Sequence, residues 1–151
     1  MSEARIVFDA KTLRPGRMGP ATGNVWLTFD DTAFPRQDWN DFAVVILEAW
    51  ASAMLRLLQG VSEHELIHFM EGPYVVDVAR VPAAFRLRAI SNGRDERACV
   101  DVQTLPLVES LLIASEEVLT ASRNKSCWSA EADRLSGNLP ALRREVVKLK
   151  N

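Results

Sequence analysis

The chain has 151 residues, 48% of them hydrophobic and 25% charged, with a formal net charge of -2. That length supports one domain with its own core, and the composition excludes the disordered and membrane classes. Without a basic excess the chain does not read as a general binder of nucleic acid or anionic lipid.

Arg5 to Asp9 reads as a first, β-branched strand. Arg14 to Asn24 holds three glycines and two prolines in eleven residues, which marks a loop. Such a loop could act as a lid over a small-molecule pocket. Val25 to Asp30 is a second strand. A helix is expected from about Trp39 to Gln59, with Asp38 as N-cap, Asp41 in the first turn and Gly60 just past the end. Its polar positions Asp41, Glu48, Ser52, Arg56 and Gln59 form one narrow stripe, so most of its circumference must be covered. A second layer of the same chain or a homodimer could supply that cover.

Three further strands follow, Tyr74 to Val81, Phe85 to Ile90 and Glu96 to Gln103. The last two are joined through Asn92-Gly93, a tight-hairpin signal. Leu105-Pro106 opens a helix. A last helix starts near Ser129, where Leu135, Leu139, Leu142, Val146 and Leu149 form a seam. Gly137 to Pro140 should break or kink it. With the segment around His64 as another strand, the order is β-β-α-β-β-β-β-α-α. The fold class is α+β: a single domain, residues 1–151, with an antiparallel sheet of about six strands, a long buried helix and two C-terminal helices.

Both histidines of the chain lie in His64-Glu65-Leu66-Ile67-His68, which matches the H-E-x-x-H zinc signature. On a helix, His64 and His68 would ligate zinc and Glu65 would act as general base of a small hydrolase. Ser62 and Glu65 fit a capping box, which favours such a helix. However, Gly60 and Gly72-Pro73 enclose too little chain for a rigid catalytic helix, and Tyr74 to Val81 offers a partner strand. On a strand the two imidazoles would stand about 13 Å apart, too far to share one ion. The strand reading is the expected one, which leaves zinc hydrolysis as the alternative.

Asp30, Asp31, Phe34, Asp38 and Asp41 crowd one short segment with Trp39. An acidic patch with aromatic anchors suits a basic partner protein, while the plainer reading assigns these residues to a helix start and a solvated loop. Arg86, Arg88, Arg94 and Arg97, opposed by Asp77, Asp95, Glu96 and Asp101, read as cross-strand ion pairs on a solvated sheet face. Cys99 and Cys127 form no CxxC and have no histidine nearby in sequence, so both read as ordinary reduced thiols. The N-terminus is charged and lacks an apolar h-region, and the longest apolar run, Phe42 to Leu47, is too short to span a bilayer. A cytoplasmic location is the expectation.

The order Phe34-Pro35, Asp38-Trp39, Asp41-Phe42, then Glu48-Ala49-Trp50 on an apolar helix, then Met70-Glu71-Gly72-Pro73-Tyr74-Val75, resembles small bacterial immunity proteins of polymorphic toxin systems. The resemblance spans roughly Phe34 to Val78. It implies a single α+β unit that binds a cognate toxin and blocks its active site, with no cofactor. The favoured function is therefore a non-enzymatic, protein-binding domain whose partner is another protein such as a basic toxin domain. Nucleic acid and membranes are not expected partners.

Overall fold

The computed structural model describes all residues, Met1 to Asn151. Two four-stranded antiparallel sheets form instead of one six-stranded sheet. In the first, β1 (Ala4–Arg14) pairs with β2 (Thr22–Phe29), which also pairs with two short strands, β3 (Thr32–Phe34) and β4 (Asn40–Asp41). In the second, β5 (His64–His68), β6 (Tyr74–Val81), β7 (Ala84–Ser91) and β8 (Asp95–Val102) form a meander in chain order. The sheets meet at one end through an isolated parallel bridge between Ser2 and Val102.

Three helices complete the fold: α1 (Ala43–Leu58), α2 (Thr104–Asn124) and α3 (Ala130–Lys150). α2 lies on β1, α1 packs against β2, β5 and both other helices, and α3 lies against α1 and α2. One contiguous cluster of buried side chains draws on all three helices and both sheets. Trp50, Ile46, Leu47, Met54 and Leu57 of α1 are at most 1% exposed. The chain itself thus supplies the cover that α1's sequence demanded, and a partner subunit is not needed for it.

Two expectations are corrected. α1 begins at Ala43 rather than Trp39, because the preceding residues join the first sheet. The N–H of Val25 donates to the carbonyl of Trp39 at 2.8 Å, and Asn40 and Asp41 lie opposite Asn24 and Gly23. Asp38 adopts a left-handed φ of 59° and caps nothing; the N-cap residue is Phe42. α3, in turn, runs unbroken through Gly137 and Pro140. Pro140 is exposed, so the carbonyl its missing N–H would have served can meet water. The buried seam of Leu135, Leu139, Leu142 and Val146 holds the helix on its neighbours.

Other local signals act as their chemistry requires. Asn92 and Gly93 both take positive φ in the β7–β8 turn, the conformation a two-residue type I′ turn needs. Gly60, at φ 75°, ends α1. The Ser129 hydroxyl accepts the N–H of Ala132 and caps α3. No helix is long and apolar enough to cross a membrane.

Candidate functional site

The segment from Asp30 to Asp41 is fixed by packing and hydrogen bonding at its two ends. Phe34, on the inner face of β3, meets Phe69 edge-on at 6.0 Å between ring centroids and Tyr74 at 5.6 Å. Trp39 meets Tyr74 edge-on at 5.3 Å. Edge-to-face contacts of this kind add a modest attraction to the area they bury. The Phe34-Pro35 peptide bond between these contacts is cis.

Asp41 completes the junction. Its side chain is fully buried and its carboxylate accepts four N–H donors. Oδ1 takes the Phe42 amide at 2.7 Å; Oδ2 takes the Trp39 indole at 2.9 Å and the amides of Met70 and Glu71 at 3.1 Å each. A buried carboxylate is tolerated when it is saturated in this way. One side chain thus ties the first sheet, the start of α1 and the turn between β5 and β6. Gly72 belongs to the same assembly, since a Cβ there would stand 2.7 Å from the Tyr74 ring and 3.3 Å from Trp39.

The five residues expected to bind a partner therefore divide. Phe34 and Asp41 are interior and offer no surface, a correction that follows from their packing against the β5–β6 hairpin. Asp30, Asp31 and Asp38 are exposed, and none is within ion-pairing distance of a lysine or arginine. Asp30 accepts only the hydroxyl of Ser2, at 3.0 Å. Arg36, on the same segment, lies over the Trp39 ring at 5.5 Å.

HELIH is β5, residue for residue. His64, Leu66 and His68 face outward, while Ile67 and Phe69 are buried. At about 3.3 Å per residue the histidines are about 13 Å apart, so they cannot share a zinc ion and Glu65 cannot serve as base between them. Glu65 instead accepts from Arg56 on α1, with Nε at 3.0 Å and Nη2 at 2.5 Å. That bond holds the Glu65 carboxyl below its ordinary range, against the opposing effect of burial, and raises the Arg56 guanidinium above its own. His64 Nδ1 stands 3.4 Å from Asp77. No group of three histidine, cysteine, aspartate or glutamate side chains is placed to hold a metal ion.

Of the four arginines expected to form cross-strand ion pairs, Arg86 and Arg88 are neutralised by their neighbours, whereas Arg97 donates to the Ser91 hydroxyl at 2.9 Å and Arg94 makes no ion pair. Arg86 pairs in a fork with Asp101, at 2.8 and 3.1 Å, directly across the β7–β8 register. Arg88 bonds Glu96 at 2.6 Å and approaches Asp77 at 3.4 Å. These hydrogen bonds raise both guanidiniums above their ordinary value and lower Asp101 below its own. Cys99 is exposed on β8, and Cys127 is half-buried after α2. The Arg14 to Asn24 region is a loop over residues 15–21, between the end of β1 at Arg14 and the start of β2 at Thr22. Its tip borders none of the principal cavities, the largest of which, about 480 Å³, lies between Lys11 and the Glu116–Lys125 stretch of α2.

Sequence reasoning placed Asp41 at a helix start and missed that it is the hub of the junction. Nothing in the sequence names Asp41 as the partner of the Glu71-Gly72-Pro73-Tyr74 run. No family model, curated protein or solved structure matches the chain.

Proposed function

We propose that the chain is a non-enzymatic domain that works by binding another protein, of the toxin-neutralising immunity type, with a basic partner. The observation that carries this reading is the state of Asp30, Asp31 and Asp38. They are exposed carboxylates that form no ion pair, on a segment whose backbone is pinned by Phe34, Trp39 and Asp41. Unpaired charge on a rigid support favours rapid, salt-sensitive encounter with a surface of opposite sign. Arg86 and Arg88, already paired with Asp101, Glu96 and Asp77, have less charge to offer.

The test is capture by the tagged chain from its source cells, followed by reconstitution with the purified partner. Wild type recovers a basic protein at one-to-one stoichiometry, weakens its grip as salt rises, and blocks that protein's activity. A triple variant, Asp30→Asn, Asp31→Asn and Asp38→Asn, keeps the fold, because asparagine tolerates the left-handed backbone at positions 30 and 38. It binds at least tenfold more weakly. Recovery of no stoichiometric partner, or equal binding by the variant, overturns the reading.

A further inference from the structure

β5 is an outer strand of the second sheet and its free side meets no other strand. The hydrogen bonds that flank it fix which of its backbone groups face that side. The N–H of Phe69 donates to Tyr74 at 3.0 Å, and the N–H of Arg80 donates to Glu63 at 2.8 Å. Between them, Glu65 lies opposite Val78 and Ile67 opposite Val76. In an antiparallel ladder, opposed pairs alternate between exchanging both bonds and exchanging none. Glu63, Glu65, Ile67 and Phe69 therefore bond to β6, and the N–H and C=O of His64, Leu66 and His68 point to the free side without a partner.

This edge differs from the other edge of its sheet. β8 exposes Asp95, Glu96, Arg97 and Asp101, its pairing with β7 carries a register shift, and Ser2 bridges its last residue. Charges, irregular pairing and covering chain are the devices that keep an edge from templating another strand. β5 has no lysine, arginine or proline, and its only acid, Glu65, is bonded to Arg56. Three large apolar side chains are exposed on or beside it: Val61 at 70%, Leu66 at 53% and Met70 at 48%.

We propose that two copies of the chain pair through their β5 edges, antiparallel about a twofold axis at Leu66, to make one continuous eight-stranded sheet from the two four-stranded ones. The exposed Leu66 at the centre of the three free residues argues for a second copy as the occupant. A twofold axis at Leu66 sets Leu66 against Leu66 and His64 against His68 of the other copy, and each opposed pair exchanges two hydrogen bonds. All three unpaired residues are then satisfied, apolar meets apolar at the centre, and Glu65 faces Ile67 rather than another carboxylate. Such a contact is isologous and closes on itself. It is short, so the affinity falls in the weak range. The pairing is independent of Asp30, Asp31 and Asp38 and of the reading built on them.

Sedimentation of the purified full chain tests the proposal. A reversible monomer–dimer equilibrium is expected. Leu66→Lys and Leu66→Glu each raise the dissociation constant by about tenfold or more, with far-UV signal and melting unchanged because the side chain is exposed. Mixing the two variants restores dimers, since position 66 opposes itself. In a background of Cys99→Ser and Cys127→Ser, Leu66→Cys cross-links readily, because opposed residues about 5.5 Å apart between Cα atoms suit a disulfide, whereas His64→Cys does not. A chain that stays monomeric at ~1 mM, or a dimer untouched by both charged variants, overturns the proposal. A strand supplied by another protein alone would give the monomer result.

Discussion

The N–H of Glu71 donates to Oδ2 of Asp41 at 3.1 Å, across 30 residues of chain. The N–H of Met70 reaches the same oxygen, and the two bonds tie the turn after β5 to the strand before α1. The sheets share no ladder at this end; a carboxylate and a group of aromatic rings join them instead.

Replacing Asp41 by alanine leaves the Trp39 indole and three amides, all in part-buried hydrogen bonds, without their acceptor. Each buried donor left unmade costs about 1–3 kcal/mol, part of which relaxation and water recover. Asp41→Ala should therefore lower the unfolding free energy by about 3 kcal/mol in urea titrations. Asp41→Asn, which keeps an oxygen for the donors at Oδ2 and loses mainly the Phe42 contact, should cost about 1 kcal/mol. Asp38→Asn should cost less than 0.5 kcal/mol, on the order expected of a surface site. If Asp38 and Asp41 proved equally sensitive, the hub assignment would fail.

Glycines 72 and 137 should respond in opposite directions. A Cβ at Gly72 meets the Tyr74 ring at 2.7 Å and Trp39 at 3.3 Å, and these two rings pack on each other. Gly72→Ala must push the rings apart, at about 1–3 kcal/mol. Gly137 lies within α3 with nothing near its absent Cβ. Gly137→Ala should stabilise by about 0.5–1 kcal/mol through helix propensity alone. Paired thermal melts of the two variants are the check, with Tm down for the first and up for the second.

Elements whose signal is local could be read from sequence, and the junction between the sheets could not. Asn92-Gly93, Gly60 and the Ser129 cap each specify a backbone conformation through their own chemistry, and each sits where that chemistry says. The pairing of HELIH with Tyr74 to Val81 was legible because Gly72 and Pro73 leave room only for a turn. Asp38 misled because aspartate favours both a helix N-cap and a left-handed turn. Only the Val25–Trp39 hydrogen bond, a tertiary contact, decides between the two. In the sequence, Asp41 is equally consistent with an acid in a helix's first turn. The split into two sheets was hidden because Phe34, Trp39 and Tyr74 would be equally apolar in a single sheet. The exposure of Asp30, Asp31 and Asp38 was foreseeable, but the burial of Phe34 was not.

The two histidines should be dispensable for metal and for folding alike. His64 and His68 are both exposed on one strand and about 13 Å apart. Calorimetric titration of untagged protein with zinc should reveal no site of one ion per chain. His64→Ala and His68→Ala should each alter unfolding free energy by less than ~0.5 kcal/mol. A one-to-one site lost in both variants would show that the strand rearranges around zinc.

Arg56 and Glu65 give the clearest pH dependence. The hydrogen bond from Arg56 lowers the Glu65 carboxyl below its ordinary range, so the folded chain holds the charged form more tightly than the unfolded chain does. A depressed acid stabilises the fold above its unfolded pKa, about 4.3 for glutamate, and loses that contribution as pH falls through the folded value. Arg56 is shifted upward and stays charged throughout, so it does not oppose this trend. Because Arg56 is half-exposed, screening limits the pair to about 1 kcal/mol. Glu65→Gln should therefore be less stable than wild type by about that amount at pH 7, and the gap should close toward pH 3. Arg56→Ala should show the same closing gap if the pair is the cause. A deficit in Glu65→Gln that persists at pH 3 would instead assign the loss to packing beneath β5, where Ile67 and Phe69 are buried.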